Sequence, residues 1–192
     1  MCRSMSPLEM SLQLHGYFCP ELLIGVRLAE LAKKMLLTDN GETENYPLSA
    51  LIAIAESNSC AVDALQAVLG CTMGKGNLLI NNGAQKEYAI VNRHTRRGVM
   101  IQMLDNSRLT SDISRFSQLS RQSHLSPEES IEKESLTGSL FETIMTIPGE
   151  QLFTWQHINV NTNLDTKGTK CFFNESCECP AWQPDHGDRP YA

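Results

Sequence analysis

Apolar residues recur at helical spacing in the first part of the chain and then form one continuous run. From Pro20 onward they follow one another mostly at steps of three and four residues, at Leu23, Val26, Leu28, Leu31, Ala32, Met35 and Leu36. This period predicts a helix that packs along one broad face and ends near Leu37. The run from Leu51 to Ala55 lies between turn-forming segments, which favours a strand covered on both faces.

A second helix is predicted soon after this strand. Asn58 or Ser59 can cap a helix over residues 60–69, and Gly70 stands where helices commonly end with a left-handed residue. Three strands are then predicted, and Asn82-Gly83 is a strong hairpin signal between the first two. The three strands cover residues 77–80, 86–92 and 98–104. The predicted order of the core is therefore α-β-α-β-β-β, which is an α+β fold.

After Asp105 the composition changes toward serine and charged residues, although apolar residues still repeat at helical spacing. Ser126, Pro127 and Glu129 form a capping-box start for a further helix. Its predicted apolar face contains Leu140, Phe141, Ile144 and Met145, and a strand is predicted within residues 151–160. We therefore divide the chain into a core domain at residues 11–105 and a helical, cysteine-containing appendage at residues 106–192.

The composition excludes two classes of partner. A chain of 192 residues with 41% apolar residues can bury a full hydrophobic core. The net charge of -6 and the scattered lysines and arginines leave no basic stripe for a phosphate backbone, so no nucleic-acid partner is expected. No apolar run is long enough for a signal sequence or approaches the roughly 18 apolar residues of a membrane span. These features predict a cytoplasmic protein without membrane contact.

The segment from His15 to Pro20 is the first candidate for chemistry. Proline is well tolerated at the first helical position, so Cys19 is expected at a helix N-terminus, after a loop that contains His15. The helix dipole favours a thiolate there, and a thiolate is both a nucleophile and a soft metal ligand. His15 would supply a second ligand. On this motif alone, a buried cysteine beside a hydrogen-bonded histidine is an equally good interpretation.

Cys60 repeats this arrangement at the start of the second helix. Asp63 lies one helical turn beyond Cys60, and Gln66 one turn beyond Asp63, so the three side chains can share one helix face. Asp63 has a simpler interpretation as well, because an acidic residue in the first turn stabilises a helix without any other role.

The glycine-rich loop at residues 70–77 contains Cys71 and Lys75. It is not a nucleotide-binding P-loop, because the glycine spacing is wrong and a strand, not a helix, follows. Its amides and Lys75 can hold a small anion. The alternative is a tight connection that needs glycine for its backbone geometry.

Together these segments resemble the signature of the formylmethanofuran dehydrogenase E-subunit family, over about half of the chain. The matching motifs are His15-Gly-x-x-Cys19-Pro20, Gly25-Val-Arg27, Cys60-Ala-Val-Asp63-Ala-x-Gln66 and Gly70-Cys71-Thr-x-Gly74-Lys75-Gly76-Asn77. The resemblance implies a small mixed sheet and metal binding around the cysteine and histidine positions. It also implies association with molybdenum or tungsten formylmethanofuran dehydrogenase or, in organisms without that pathway, an unassigned role. The chain departs from the family at Tyr17, where a second histidine is usual, and at Glu21, where a glycine is usual.

We expect His15, Cys19 and Cys60 to hold zinc or another divalent transition metal in a cleft that binds or transforms a small molecule. Asp63, Cys71 and Lys75 are the predicted catalytic residues, which would orient or protonate that molecule. A further thiol-redox hypothesis, in which Cys60 and Cys71 form a disulfide, is disfavoured because roughly 16 Å of helix would separate them.

The alternative function is a non-catalytic accessory subunit or partner-binding module of a molybdenum or tungsten oxidoreductase. In that case the amphipathic helix after Ser126 would dock on a partner. A homodimer is also expected. In the appendage, Cys171, Cys177 and Cys179 have irregular spacing, which fits a degenerate zinc ribbon or a differently folded tail equally well.

Overall fold

The computed structural model describes residues 5–38, 47–81 and 86–160. The predictions made for Asn82-Gly83 as a turn and for Cys171, Cys177 and Cys179 therefore lie outside the described residues. The helices are α1 (Pro7–His15), α2 (Pro20–Thr38), α3 (Ala61–Leu69), α4 (Ser107–Arg121), α5 (Pro127–Thr146) and α6 (Gly149–Leu152). The strands are β1 (Leu51–Ala55), β2 (Leu78–Ile80), β3 (Glu87–Asn92), β4 (Arg97–Met103) and β5 (Phe153–Asn159).

The five strands form one mixed sheet in the order β2-β1-β3-β4-β5. β1 pairs in parallel with β2, with Ala53 opposite Leu78, and every other pair is antiparallel. All five residues of β1 are buried, as its continuous apolar run predicts for a strand covered on both faces. The mixed α/β architecture and the positions of the predicted core elements are therefore confirmed.

The predicted hairpin between the second and third strands is wrong. β1 lies between β2 and β3 and pairs with both of them. Neighbouring strands are about 4.8 Å apart, so β2 and β3 are separated by about 10 Å, which a two-residue hairpin loop cannot span. Asn82-Gly83 is a local turn signal. It does not indicate whether another strand, here β1, lies between the two strands that it connects.

A helix that the sequence analysis missed precedes the first candidate motif. The Glu9 backbone N–H donates to Ser6 Oγ at 3.2 Å, and the Ser6 N–H donates to the Glu9 carboxylate at 2.8 Å. This capping box, with Pro7 at the first helical position, starts α1. His15 is the last residue of α1 and not part of a loop, and Gly16 ends the helix with a left-handed φ of 91°.

The helices α2 and α3 touch each other at the backbone. A Cβ atom added at Gly25 would lie 2.6 Å from the Cα and 2.7 Å from the carbonyl oxygen of Ala61. Both distances are shorter than any normal contact, so only glycine allows this approach. Ala61 directly follows Cys60, so the same contact brings the start of α3 against α2.

The described part of the predicted appendage is built onto the core. β5 pairs with β4 as the fifth strand of the sheet, and the predicted capping box at Ser126 and Glu129 starts α5. The Arg27 guanidinium donates to the carbonyls of Ile144 and Ile147 at the end of α5. These terminal carbonyls lack donors within their own helix, so Arg27 fixes the end of α5 against α2. No helix in the described ranges is long and apolar enough to cross a membrane.

Candidate metal centre

Three side chains with metal-binding atoms meet where α1 ends and where α2 and α3 begin. His15 is the last residue of α1, Cys19 precedes α2, and Cys60 is the N-cap residue of α3. One ligand atom from each residue lies within 4.8 Å of the other two. Ligand atoms around one tetrahedral zinc ion lie about 3.5–4 Å apart, so a movement of about 1 Å per pair brings the three onto a common ion.

One nitrogen of the His15 imidazole is hydrogen-bonded, and the other has no partner in the part of the chain that the structure describes. Nδ1 lies 2.7 Å from the Asp63 carboxylate, and the other oxygen of Asp63 accepts a hydrogen bond of 3.0 Å from Gln66. The His15 side chain is only 8% exposed, and its buried Nε2 has no hydrogen-bond partner within residues 5–38, 47–81 and 86–160. The bond to Asp63 places the proton on Nδ1, which leaves the lone pair of Nε2 for a metal, as in carboxylate–histidine–zinc arrangements.

The thiol of Cys60 resists ionisation in the metal-free protein. Burial, reinforced by the neighbouring thiol of Cys19, raises the pKa of Cys60 to about 12. The expected stabilisation of the Cys60 thiolate by the helix dipole is therefore outweighed by desolvation in the metal-free protein. A bound divalent ion would favour the thiolate form of Cys60, because the ion replaces the proton on the sulfur.

Two residues that the sequence analysis noted only as departures from the family lie close to the candidate ligands in sequence. The Tyr17 ring lies 4.4 Å from the His15 ring, centroid to centroid, and the tyrosine is 63% exposed. The Glu21 carboxylate is close enough to Cys60 to contribute to its raised pKa, and it pairs with Lys86 at 3.3 Å. Lys86 is 65 residues away in sequence, so no local pattern indicates that contact.

The six predicted site residues fall into two groups. Asp63 joins His15, Cys19 and Cys60, whereas the nine-residue helix α3, about 14 Å long, separates this group from Cys71. Cys71 is fully buried, its Sγ contacts the carbonyl of Leu51 at 3.6 Å, and burial raises its pKa to about 11. Lys75 donates to the carbonyl of Gly70 at 3.0 Å. The catalytic roles of Asp63, Cys71 and Lys75 stay predictions.

The chain is similar to known proteins over most of its described length. A curated relative from Archaeoglobus fulgidus, described as a probable S-adenosyl-L-methionine-binding protein, is 32% identical over 92 residues. That match covers 46% of this chain and only 24% of the relative, so the chain spans about a quarter of the relative's length. A crystal structure from Syntrophus aciditrophicus, of a protein like the E-subunit (FmdE) of tungsten formylmethanofuran dehydrogenase, shares the fold, with a TM-score of 0.54 and 22% identity. The structural match covers 80% of this chain and 70% of that chain.

The family assignment rests on a longer match, which includes all three candidate ligands. Residues 14–154 match the family model described as FmdE, molybdenum formylmethanofuran dehydrogenase operon. This range starts just before His15 and ends within β5, so it contains the whole sheet up to its last strand. The chain therefore belongs to the FmdE family.

Proposed function

We propose that this protein binds one zinc-like divalent metal ion through His15 Nε2 and the thiolates of Cys19 and Cys60. The observation that carries the proposal is the buried Nε2 of His15, which has no partner among the described residues and lies in a cluster with two thiols. A buried polar atom without a partner costs about 1–3 kcal/mol, and a metal ion would remove that cost. Asp63, behind the imidazole, supplies the outer partner that metal-bound histidines usually have.

The donor set favours zinc among the common divalent metals. Thiolate and imidazole suit zinc better than magnesium, calcium or manganese, which prefer oxygen ligands. Two thiolates also balance the charge of a divalent ion in this partly buried place. Three protein ligands leave a fourth position, which is the arrangement of sites that bind or transform a small molecule.

The accessory-subunit hypothesis stays the alternative, and the exposed apolar residues of α5 support it. Ile131 is 69% exposed and Phe141 is 41% exposed, which leaves apolar surface for a partner subunit or a second copy. Leu140 and Ile144, which were predicted for the same face, are buried within this chain. The surface available to a partner is therefore smaller than the sequence pattern indicated.

The proposal is tested by the metal content and the cobalt spectrum of the chelator-washed full-length protein. We expect one zinc or one cobalt ion per chain in a variant in which Cys171, Cys177 and Cys179 are all serine. The cobalt form should show thiolate-to-metal charge transfer and the visible absorption of a tetrahedral site. If this variant binds no metal while the unmodified protein does, the metal belongs to the tail and the core proposal fails.

Substitution of Asp63 distinguishes support of the metal ligand His15 from simple stabilisation of the helix. We expect Asp63→Ala to weaken zinc binding roughly 10–100-fold, because the imidazole loses the carboxylate that fixes its tautomer and orientation. Gln66→Ala, which removes only the hydrogen bond to Asp63, should have a smaller effect. Competition with a chelator of known affinity measures both changes. If Asp63→Ala lowers the free energy of unfolding but leaves the zinc affinity unchanged, Asp63 serves only the first turn of α3.

A further inference from the structure

The loop that carries Cys19 is anchored to the rest of the protein through the aromatic ring of Phe18. This loop joins α1 to α2, and its other aromatic residue, Tyr17, is 63% exposed. Phe18 instead packs against the main hydrophobic core. Since Phe18 directly precedes Cys19, the position of its ring constrains the direction in which the chain enters the proposed ligand. The contacts of this ring therefore influence the geometry of the metal centre.

The ring of Phe18 contacts two other rings, both from the part of the chain after Asp105. Its centroid lies 5.8 Å from that of Phe116 in α4, in an edge-to-face arrangement, and 6.4 Å from that of Phe141 in α5. Both distances lie in the range of favourable aromatic pairs. Phe116 is buried, whereas Phe141 is 41% exposed. The two long helices of the predicted appendage therefore meet the ligand loop at one side chain.

Polar contacts that do not involve Phe18 hold these two helices in place. The guanidinium of Arg115, the neighbour of Phe116, donates to both carboxylate oxygens of Glu132 and so joins α4 to α5. About one turn after Phe141, α5 ends in carbonyls that accept hydrogen bonds from Arg27 of α2. The two rings that Phe18 meets are therefore positioned by their own helices, and the ligand loop packs against a surface that is already formed.

We propose that Phe18 is a positioning residue of the metal centre, through which α4 and α5 control the place of the Cys19 thiolate. This inference rests on the proposed function, since it needs an ion held by His15, Cys19 and Cys60, and it identifies what regulates that site. With the Phe18 ring held by two helices, the thiolate is preorganised for the ion. Without those contacts the loop must become ordered as the metal binds, so the affinity falls.

The test compares Phe18→Ala, Phe141→Ala and the control Ile131→Ala in the full-length chain with the three tail cysteines replaced by serine. Ile131 is another apolar residue of α5 and is 69% exposed. Cobalt is the probe, and chelator competition and the visible spectrum are the readouts. We expect Phe18→Ala and Phe141→Ala each to weaken cobalt binding roughly 3–10-fold, because each removes aromatic contacts, and to shift the visible bands. Ile131→Ala should match the parent chain, and so should Phe141→Tyr, which keeps the ring.

The outcomes separate this inference from the proposed function. If Phe141→Ala has the affinity and spectrum of the parent chain, α5 does not position the ligand loop and only the inference fails. A weaker affinity with an unchanged spectrum would mean that the ligand geometry is the same, which also overturns the inference. An equal loss in Ile131→Ala would be a general effect of α5 and would overturn it as well. If the parent chain itself binds no cobalt, the proposed function fails.

Discussion

Cys60→Ser is expected to remove the metal from the core of this protein and to leave the fold intact. The thiolate is one of only three proposed ligands, and a neutral hydroxyl is a poor zinc ligand. The loss of affinity should exceed the roughly 10–100-fold that the loss of an outer partner costs. Serine is among the favoured helix N-cap residues, whereas Cys60 makes no side-chain capping bond. The start of α3 should therefore tolerate the substitution.

The matched control for this prediction is Cys71→Ser, at the other end of α3. Cys71 is buried against the carbonyl of Leu51, and a serine hydroxyl can donate to the same oxygen. We expect this variant to keep one metal per chain by elemental analysis. Circular dichroism and the unfolding transition of both variants show whether the fold survives. Full metal stoichiometry in Cys60→Ser, with the three tail cysteines also replaced, would contradict the ligand assignment.

The elements of the core could be predicted because each has a local cause. β1 is recognisable from its continuous apolar run, and α5 from the capping box at Ser126 and Glu129. The same capping signature occurs at Ser6 and Glu9, so α1 was predictable by the same rule. In this case the information was present in the sequence.

The order of the strands was not available from local patterns. After the crossover through α3, β2 pairs in parallel with one edge of β1, and β3 pairs with the other edge. A turn signal such as Asn82-Gly83 acts over a few residues, and it predicts a hairpin whether or not a third strand intervenes. Pairing partners far apart in sequence are decided by the packing of the whole domain.

The candidate site, too, could be predicted only where its residues have a local sequence signal. Cys19 and Cys60 could be predicted as a pair, because each thiol stands at the start of a helix. The bond between His15 and Asp63 joins residues 48 apart, and it exists because α1, which was not predicted, packs beside α3. Cys71 looked equivalent to the other thiols in sequence, but α3 separates it from them. A cysteine close in sequence to a candidate motif is therefore not necessarily part of the metal-binding group.

One backbone contact connects the stability of the domain to the geometry of the site. Gly25 lets α2 approach α3 at Ala61, the residue after Cys60. Cys19 starts α2 and Cys60 starts α3, so the separation of these helices sets the separation of the two thiols. A side chain at position 25 would push the helices apart, and two of the atoms it meets belong to the backbone of Ala61, which cannot rotate away.

Gly25→Ala is therefore expected to lower the free energy of unfolding by about 1–3 kcal/mol, the usual cost of overpacking, and to weaken metal binding. Alanine normally stabilises a helix by up to about 1 kcal/mol relative to glycine. A decrease in the free energy of unfolding would therefore by itself indicate the close contact with Ala61. Gly138→Ala in α5 is the control, because no atom of the described residues lies within 4 Å of its added Cβ, and it should raise the free energy of unfolding. Denaturant unfolding of the metal-free variants and chelator competition measure the two effects. A Gly25→Ala variant that gains stability as Gly138→Ala does would show that α2 and α3 can separate freely, and that their contact does not set the distance between the thiols.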